Sequence, residues 1–189
     1  MLHLASRSPR RAELLARLGL DFGVIELDIP EKQGLEEPAI DYVRRVAREK
    51  SGAGLLEVVA VPDSLVLGAD TEVILDGVVF GKPADADDAA SMLRRLVGRT
   101  HDVITAVSVV SAGREVQAVS ASQVTFGAMS DADIDTYLAC GEWQGKAGAY
   151  AIQGRAQAHI AHLSGSYSGV MGLPLFETAA LLRQFGLLS

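Results

Sequence analysis

Ser64-Leu65-Val66-Leu67-Gly68-Ala69-Asp70-Thr71 decides the fold of this chain. Ser64 to Ala69 carries the continuous apolar pattern of a buried strand. Asp70 follows at the strand's end, where open α/β sheets tend to place their ligand sites. Downstream, Ile74 and Val78 flank Asp76-Gly77, a tight hairpin signal. Residues 86–96 have helical spacing and stop at Gly98. Val103 to Val110 and Glu115 to Phe126 are β-rich and separated by Ala112-Gly113, which predicts an antiparallel hairpin. Ile134, Tyr137 and Leu138 mark another helix, Ala158 to Leu163 a strand, and Leu175 to Phe185 the last helix. Upstream, Met1 to Ala5 reads as a short strand. Ser6-Arg7-Ser8-Pro9-Arg10-Arg11 then opens a helix that Ser8 can cap and Pro9 suits, since a first-turn N–H has no helical partner anyway. Leu14, Leu15 and Leu18 form its apolar face and Gly19 ends it. Pro38 begins a second helix with Val43, Val46 and Ala47 on one face. Strands and helices mix along the whole length, so the expectation is one α/β domain with a mixed sheet over residues 1–189.

Composition narrows the function. The chain has 189 residues, 49% of them apolar, and a net charge of −7. That balance disfavours nonspecific nucleic-acid binding. Arginines cluster at Arg7, Arg10, Arg11 and Arg17, and again at Arg44, Arg45 and Arg48; the second cluster reads as a solvated helix face. Cys140 is the lone cysteine, which excludes an intramolecular disulfide and a cysteine-rich zinc site. No apolar run approaches the ~20 residues of a membrane span, and residues 1–11 do not read as a signal peptide. The cytoplasm is the expected compartment.

Three motifs fail on inspection. Gly165-Ser166-Tyr167-Ser168-Gly169 puts tyrosine where a nucleophile elbow needs serine. Gly141 to Ala147 has one residue too few for a P-loop, and Ala147 lacks the magnesium-binding hydroxyl. His159 and His162, three apart in a strand pattern, face opposite ways and read as surface or packing residues.

Four segments can carry chemistry. Ser6 to Arg11 places a helix N-terminus and two guanidinium forks where an anion could sit; a capped helix with exposed arginines satisfies the same pattern. Asp70 could hold a divalent cation or activate water, or simply terminate a strand. Lys82, in Gly81-Lys82-Pro83, could point into the same cleft or into solvent. Gln153, before Gly154, could read a base edge or satisfy a backbone group.

Together these segments are more specific than any one of them. The chain resembles the Maf family of nucleotide pyrophosphatases nearly end to end: Ser6 to Arg11, Arg48-Glu49-Lys50, Gly68 to Thr71, Lys82-Pro83, Lys146-Ala147-Gly148-Ala149-Tyr150, Ile152-Gln153-Gly154, and Gly165-Ser166-Tyr167 through Gly172-Leu173-Pro174. Within that family, Lys146 to Gly154 is similar to the branch acting on dTTP and UTP. The resemblance implies a mixed twisted sheet in an elongated, two-lobed α/β domain with a central cleft, related to inosine triphosphate pyrophosphatases. It implies a divalent cation, Mg²⁺ or Mn²⁺, and a homodimer. By position in the motifs, Asp70 is the proton acceptor, and Arg11 or its neighbour Arg10, Thr71 and Gln153 set specificity. Ser6, Lys50 and Lys82 line the substrate cleft, and Glu31 shares the metal with Asp70. Glu72, where an apolar residue is more usual, is expected to face away from Asp70 and to be incidental. The implied reaction is hydrolysis of a nucleoside triphosphate to monophosphate and pyrophosphate. A non-enzymatic, nucleotide-binding regulator of cell division is the alternative.

Overall fold

The strand expected to stop at Asp70 continues to Leu75. In the computed structural model, which describes residues 1–189, this strand is β3 (Leu65–Leu75), and it organises the sheet. The other strands are β1 (Leu2–Ala5), β2 (Phe22–Ile25), β4 (Val78–Phe80), β5 (Thr100–Val110), β6 (Glu115–Phe126) and β7 (Ile160–Ser164). Their order is β2-β1-β3-β5-β6-β7, with β4 hairpinned onto β3, so all seven share one mixed sheet. β1 runs parallel to both β2 and β3, while β3, β5, β6 and β7 are successively antiparallel.

Asp70 therefore lies inside a strand, and the site is created by its neighbour ending early. β1 pairs with β3 only at Leu65, Val66 and Leu67, and β4 pairs with it only at Val73, Ile74 and Leu75. Between them, residues 68–72 have no strand partner on that side, while the opposite edge stays paired with β5. The gap lies beyond the carboxyl end of β1, a position that α/β sheets use for ligands.

Six α-helices cover the sheet: α1 (Pro9–Ala16), α2 (Ala39–Glu57), α3 (Ala86–Leu96), α4 (Asp131–Ala139), α5 (Tyr167–Met171) and α6 (Leu175–Arg183). The larger core gathers Leu4, Leu14, Leu67, Leu93, Leu173 and Leu182, among others. A smaller one places Tyr42, Val43, Val46 and Ala47 of α2 with Ala106 of β5. Packing of α2 is close because Gly68 has no side chain: a Cβ there would meet the Ala47 carbonyl at 2.5 Å and the Ser51 amide nitrogen at 2.6 Å. Ser51 Oγ also donates to Ser108 Oγ of β5 at 2.9 Å, pinning the helix to the sheet.

Most expected elements are present, with three refinements. β2 goes beyond the sequence expectation; it is a short edge strand whose Val24 is 52% exposed. Gly165 to Gly169 is a capped turn rather than an elbow: Ser166 Oγ accepts from the Gly169 amide at 3.0 Å and starts α5. His159 ends a 3₁₀ turn (Arg155–His159) while His162 stands exposed on β7, so the two form no common site.

Candidate active site

The gap beside β3 opens into a cleft of ≈ 700 Å³. Its walls come from the β1–α1 turn (5–11), the loop after β2 (27–31), Lys50 of α2, residues 70–73 of β3, Lys82, residues 145–147, Tyr150 and residues 170–172. Seven expected site residues thus share one cavity with Asp70: Ser6, Arg10, Arg11, Glu31, Lys50, Thr71 and Lys82. Gln153 does not line it. That side chain lies in the following loop, half-buried, with its Oε1 enclosed and unpartnered.

One wall is an alternating chain of charges. Lys50 Nζ, held in place by the close packing of α2, lies 2.8 Å from Asp70 Oδ1 and 2.6 Å from Glu31 Oε1. The second Glu31 oxygen is taken by Lys82 Nζ. Burial alone would raise the Glu31 carboxyl, but the Lys50 and Lys82 ammoniums outweigh it and bring it down to about 2. Glu31 therefore serves as a clamp for two lysines. Asp70, 4% exposed, has one oxygen on Lys50 and its Oδ2 buried without a partner.

Glu72 corrects the sequence reading. Residues two apart on a strand share a face, so Glu72 lies on the Asp70 side and lines the same cleft. It is 6% exposed and its Oε2 has no partner. Burial first, then the neighbouring Asp70 and Glu31, push its carboxyl up to about 8.

The other wall is cationic and uses neutral partners. Arg11 Nε donates to the Gly172 carbonyl at 2.8 Å, and its Nη2 donates to Thr71 Oγ1 at 3.3 Å. Thr71 and Thr105 hydroxyls meet at 2.9 Å, and Thr105 Oγ1 donates to the Gly169 carbonyl at 2.8 Å. The relay fixes Arg11 against α5 without neutralising it. Arg10 is lowered to about 10, by burial and then by Arg11 beside it. Burial, followed by Arg10, also lowers Lys146. Mutually repelling cations around an open cavity favour an anion between them. Ser6 Oγ accepts from the Ser8 amide at 3.1 Å and shapes the turn that presents Arg10 and Arg11.

Thr105 escaped the sequence reading, Gly172 entered it only as part of a family motif, and Glu72 was set aside as incidental. Thr105 and Gly172 act through partners 34 and 161 residues away, so no local signal marks them. Glu72 could have been found by counting two residues from Asp70.

Fold and site together define an α/β protein with a nucleotide-sized cleft, cationic on one wall and carboxylate-bearing on the other. Residues 1–185 match the family model for Maf-like proteins, and the chain belongs to that family. It is 60% identical to the dTTP/UTP pyrophosphatase of Xanthomonas euvesicatoria pv. vesicatoria, covering 98% of this chain and 99% of that protein. It is 56% identical to the nucleoside triphosphate pyrophosphatase of Xylella fastidiosa, covering 98% of each. Among solved structures, the Staphylococcus aureus Ham1 protein aligns over 66% of this chain and 71% of its own, with 14% identity and a TM-score of 0.47. No helix is long and apolar enough to cross a membrane.

Proposed function

We propose that this protein hydrolyses nucleoside triphosphates, dTTP and UTP foremost, to the monophosphate and pyrophosphate. The observation that carries the reading is Asp70, fixed by Lys50 through one oxygen and unpartnered at the other, in one cleft with Arg10, Arg11 and Lys146, which form no ion pair of their own. Names of relatives at 56–60% identity over nearly the whole chain support the same reaction.

The residues divide the work. Arg10, Arg11 and Lys146 grip the phosphate tail as point and fork donors. Asp70 Oδ2, which has two lone pairs, orients the attacking water through one of them and accepts its proton as the water oxygen bonds to the α-phosphorus, leaving the other for a cation. The bond from that phosphorus to the bridging oxygen breaks, and pyrophosphate leaves with the bridging electron pair. Lys50 keeps Asp70 in position, and the charge that builds on the phosphate oxygens meets preorganised cations.

The cleft also fits a divalent cation. The orphaned Asp70 Oδ2 is a hard oxygen donor suited to Mg²⁺ or Mn²⁺, and no three His, Cys, Asp or Glu side chains stand close enough to enclose an ion by themselves. An ion there, when bound, would neutralise phosphate charge as a Lewis acid. Glu31, expected to share it, has both oxygens on lysines. Gln153 is the proposed reader of the base. A homodimer and a cytoplasmic location complete the proposal; light scattering of the purified protein checks the first.

The test is a pyrophosphate-release assay with Mg²⁺ or Mn²⁺ and a panel of nucleoside triphosphates. Asp70→Asn is expected to lose roughly 10²-fold or more in turnover, the scale of a lost general base. Its melting temperature should change little, because Lys50 keeps Glu31. Near-normal turnover in Asp70→Asn rejects the assignment.

A further inference from the structure

We infer that Glu72, together with Asp70, forms the seat of the divalent cation, and that Glu31 does not. The inference rests on the nucleotide-hydrolysis reading above and adds the second ligand to it. Glu72 is 6% exposed, lines the cleft, and belongs to none of the ion pairs there. A buried carboxylate oxygen without a donor is costly. Here there are two, Asp70 Oδ2 and Glu72 Oε2, two residues apart on one face of β3. Every lysine that could have neutralised them is spoken for: Lys50 bridges Asp70 Oδ1 and Glu31, and Lys82 closes on Glu31. Arg11, which shares the cleft, is committed to Gly172 and Thr71.

What remains is a pair of buried, unpartnered carboxyl oxygens on two residues that line the cleft. A hard divalent cation satisfies both oxygens at once. Two carboxylates are also the number that Mg²⁺ uses when substrate phosphates and waters complete its shell. The backbone contributes as well: β3 is paired with β5 at both positions, Asp70 with Ala106 and Glu72 with Ile104, which holds the two carboxylates on a rigid strand. Loop ligands would be less precisely placed.

The test measures metal, not turnover. Mn²⁺ is titrated into the nucleotide-free protein and followed by the loss of the free-ion EPR signal. Glu72→Gln, which keeps the side-chain shape, should weaken Mn²⁺ by roughly 10-fold or more, as should Asp70→Asn. Glu31→Gln should stay within a few-fold of wild type. Thermal melts give a second reading: Mn²⁺ should raise the melting temperature of the wild type but not that of Glu72→Gln, since binding stabilises only a fold that binds. In EDTA, Glu72→Gln should melt no lower than wild type; should it fail to fold, Glu72→Val replaces it. Wild-type Mn²⁺ affinity in the Glu72 variant overturns the inference, and so does a wild type that binds no Mn²⁺. Failure of the hydrolase reading is distinguishable: the wild type would bind Mn²⁺ yet release no pyrophosphate.

Discussion

Single residues in this protein are positioned by charge and then by what is left unpaired. Asp70, Lys82 and Arg11 were legible in the sequence because their motifs are local and polar, whereas Lys50 entered only through the family resemblance. Glu72 was misread although the strand period placed it beside Asp70. Gln153 was legible as an amide before glycine, and its proposed role as base reader rests on hydrogen-bond chemistry. As the proposed base reader, its amide would turn from its enclosed position toward the cleft, where Oε1 would accept from the N3–H of uracil or thymine while the NH2 donates to a neighbouring carbonyl. Cytosine reverses that pattern; with the amide held in one orientation by the backbone near Gly154, it leaves buried groups unpaired at about 1–3 kcal/mol each. Gln153→Ala should therefore narrow the ratio of kcat/KM for UTP over CTP; an unchanged ratio would make Gln153 a structural amide. A second residue, His101, sets a pH limit on stability. It is buried against Phe126, and its Nε2 meets the Tyr150 hydroxyl at 2.8 Å. Burial lowers it from 6.5 to about 4, against the weaker pull of Asp102. The unfolded chain thus takes up a proton near pH 6.5 and the folded chain only near 4, so this contribution is complete above 6.5 and lost as pH falls toward 4. Between pH 6.5 and 4 the wild type should lose about 3 kcal/mol of urea stability relative to His101→Phe. The Glu72 carboxyl, going from 4.5 to about 8, works in the opposite sense across that window but does so in both proteins, so their difference isolates His101, while Glu31, whose carboxyl goes from 4.5 to about 2, acts mainly below it.

Elements were read well where pattern and packing agree. The helix at Ala86–Leu96 and the strand at Glu115–Phe126 have the expected bounds, since each has one apolar face and a clear stop. β2 was invisible because an exposed edge strand containing Gly23 has little alternation to show. The end of β3 was misplaced because a polar Asp70-Thr71-Glu72 segment resembles a turn, and only tertiary burial of its carboxylates reveals strand. The contact of α2 with β3 is the element-scale device on which the site depends. Gly68→Ala would drive a methyl into two backbone atoms of α2, which cannot swing aside as a side chain would. A loss of about 3 kcal/mol or more in urea unfolding is expected, with reduced turnover as Lys50 withdraws from Asp70. Gly52, on the same helix, faces open space, and a methyl added there would meet nothing within 4 Å. Gly52→Ala should gain about 1 kcal/mol from helix propensity and leave turnover unchanged.

At the scale of the molecule, function follows from one interruption in a sheet. β1 stops, β4 starts later, and the residues of β3 between them face a cleft instead of a neighbour. Two walls of opposite character then meet across that gap. Arg10, Arg11 and Lys146 stand on one; Asp70, Glu72 and the Lys50–Glu31–Lys82 chain stand on the other. On the proposed reading, a nucleotide gripped along its whole phosphate tail presents its α-phosphorus, rather than its terminal phosphate, to Asp70. The terminal phosphates are then held as one leaving unit, stabilised together as charge moves onto them. This geometry favours a single cut between the α- and β-phosphorus over stepwise removal of terminal phosphate. Chromatography of early time points with UTP should show UMP and pyrophosphate in equal amounts from the first turnover, with no UDP. Accumulating UDP and free phosphate would mean that water attacks the terminal phosphorus instead. Asp70 would then lie at the wrong end of the tail, and the assignment of the two walls would have to be reversed.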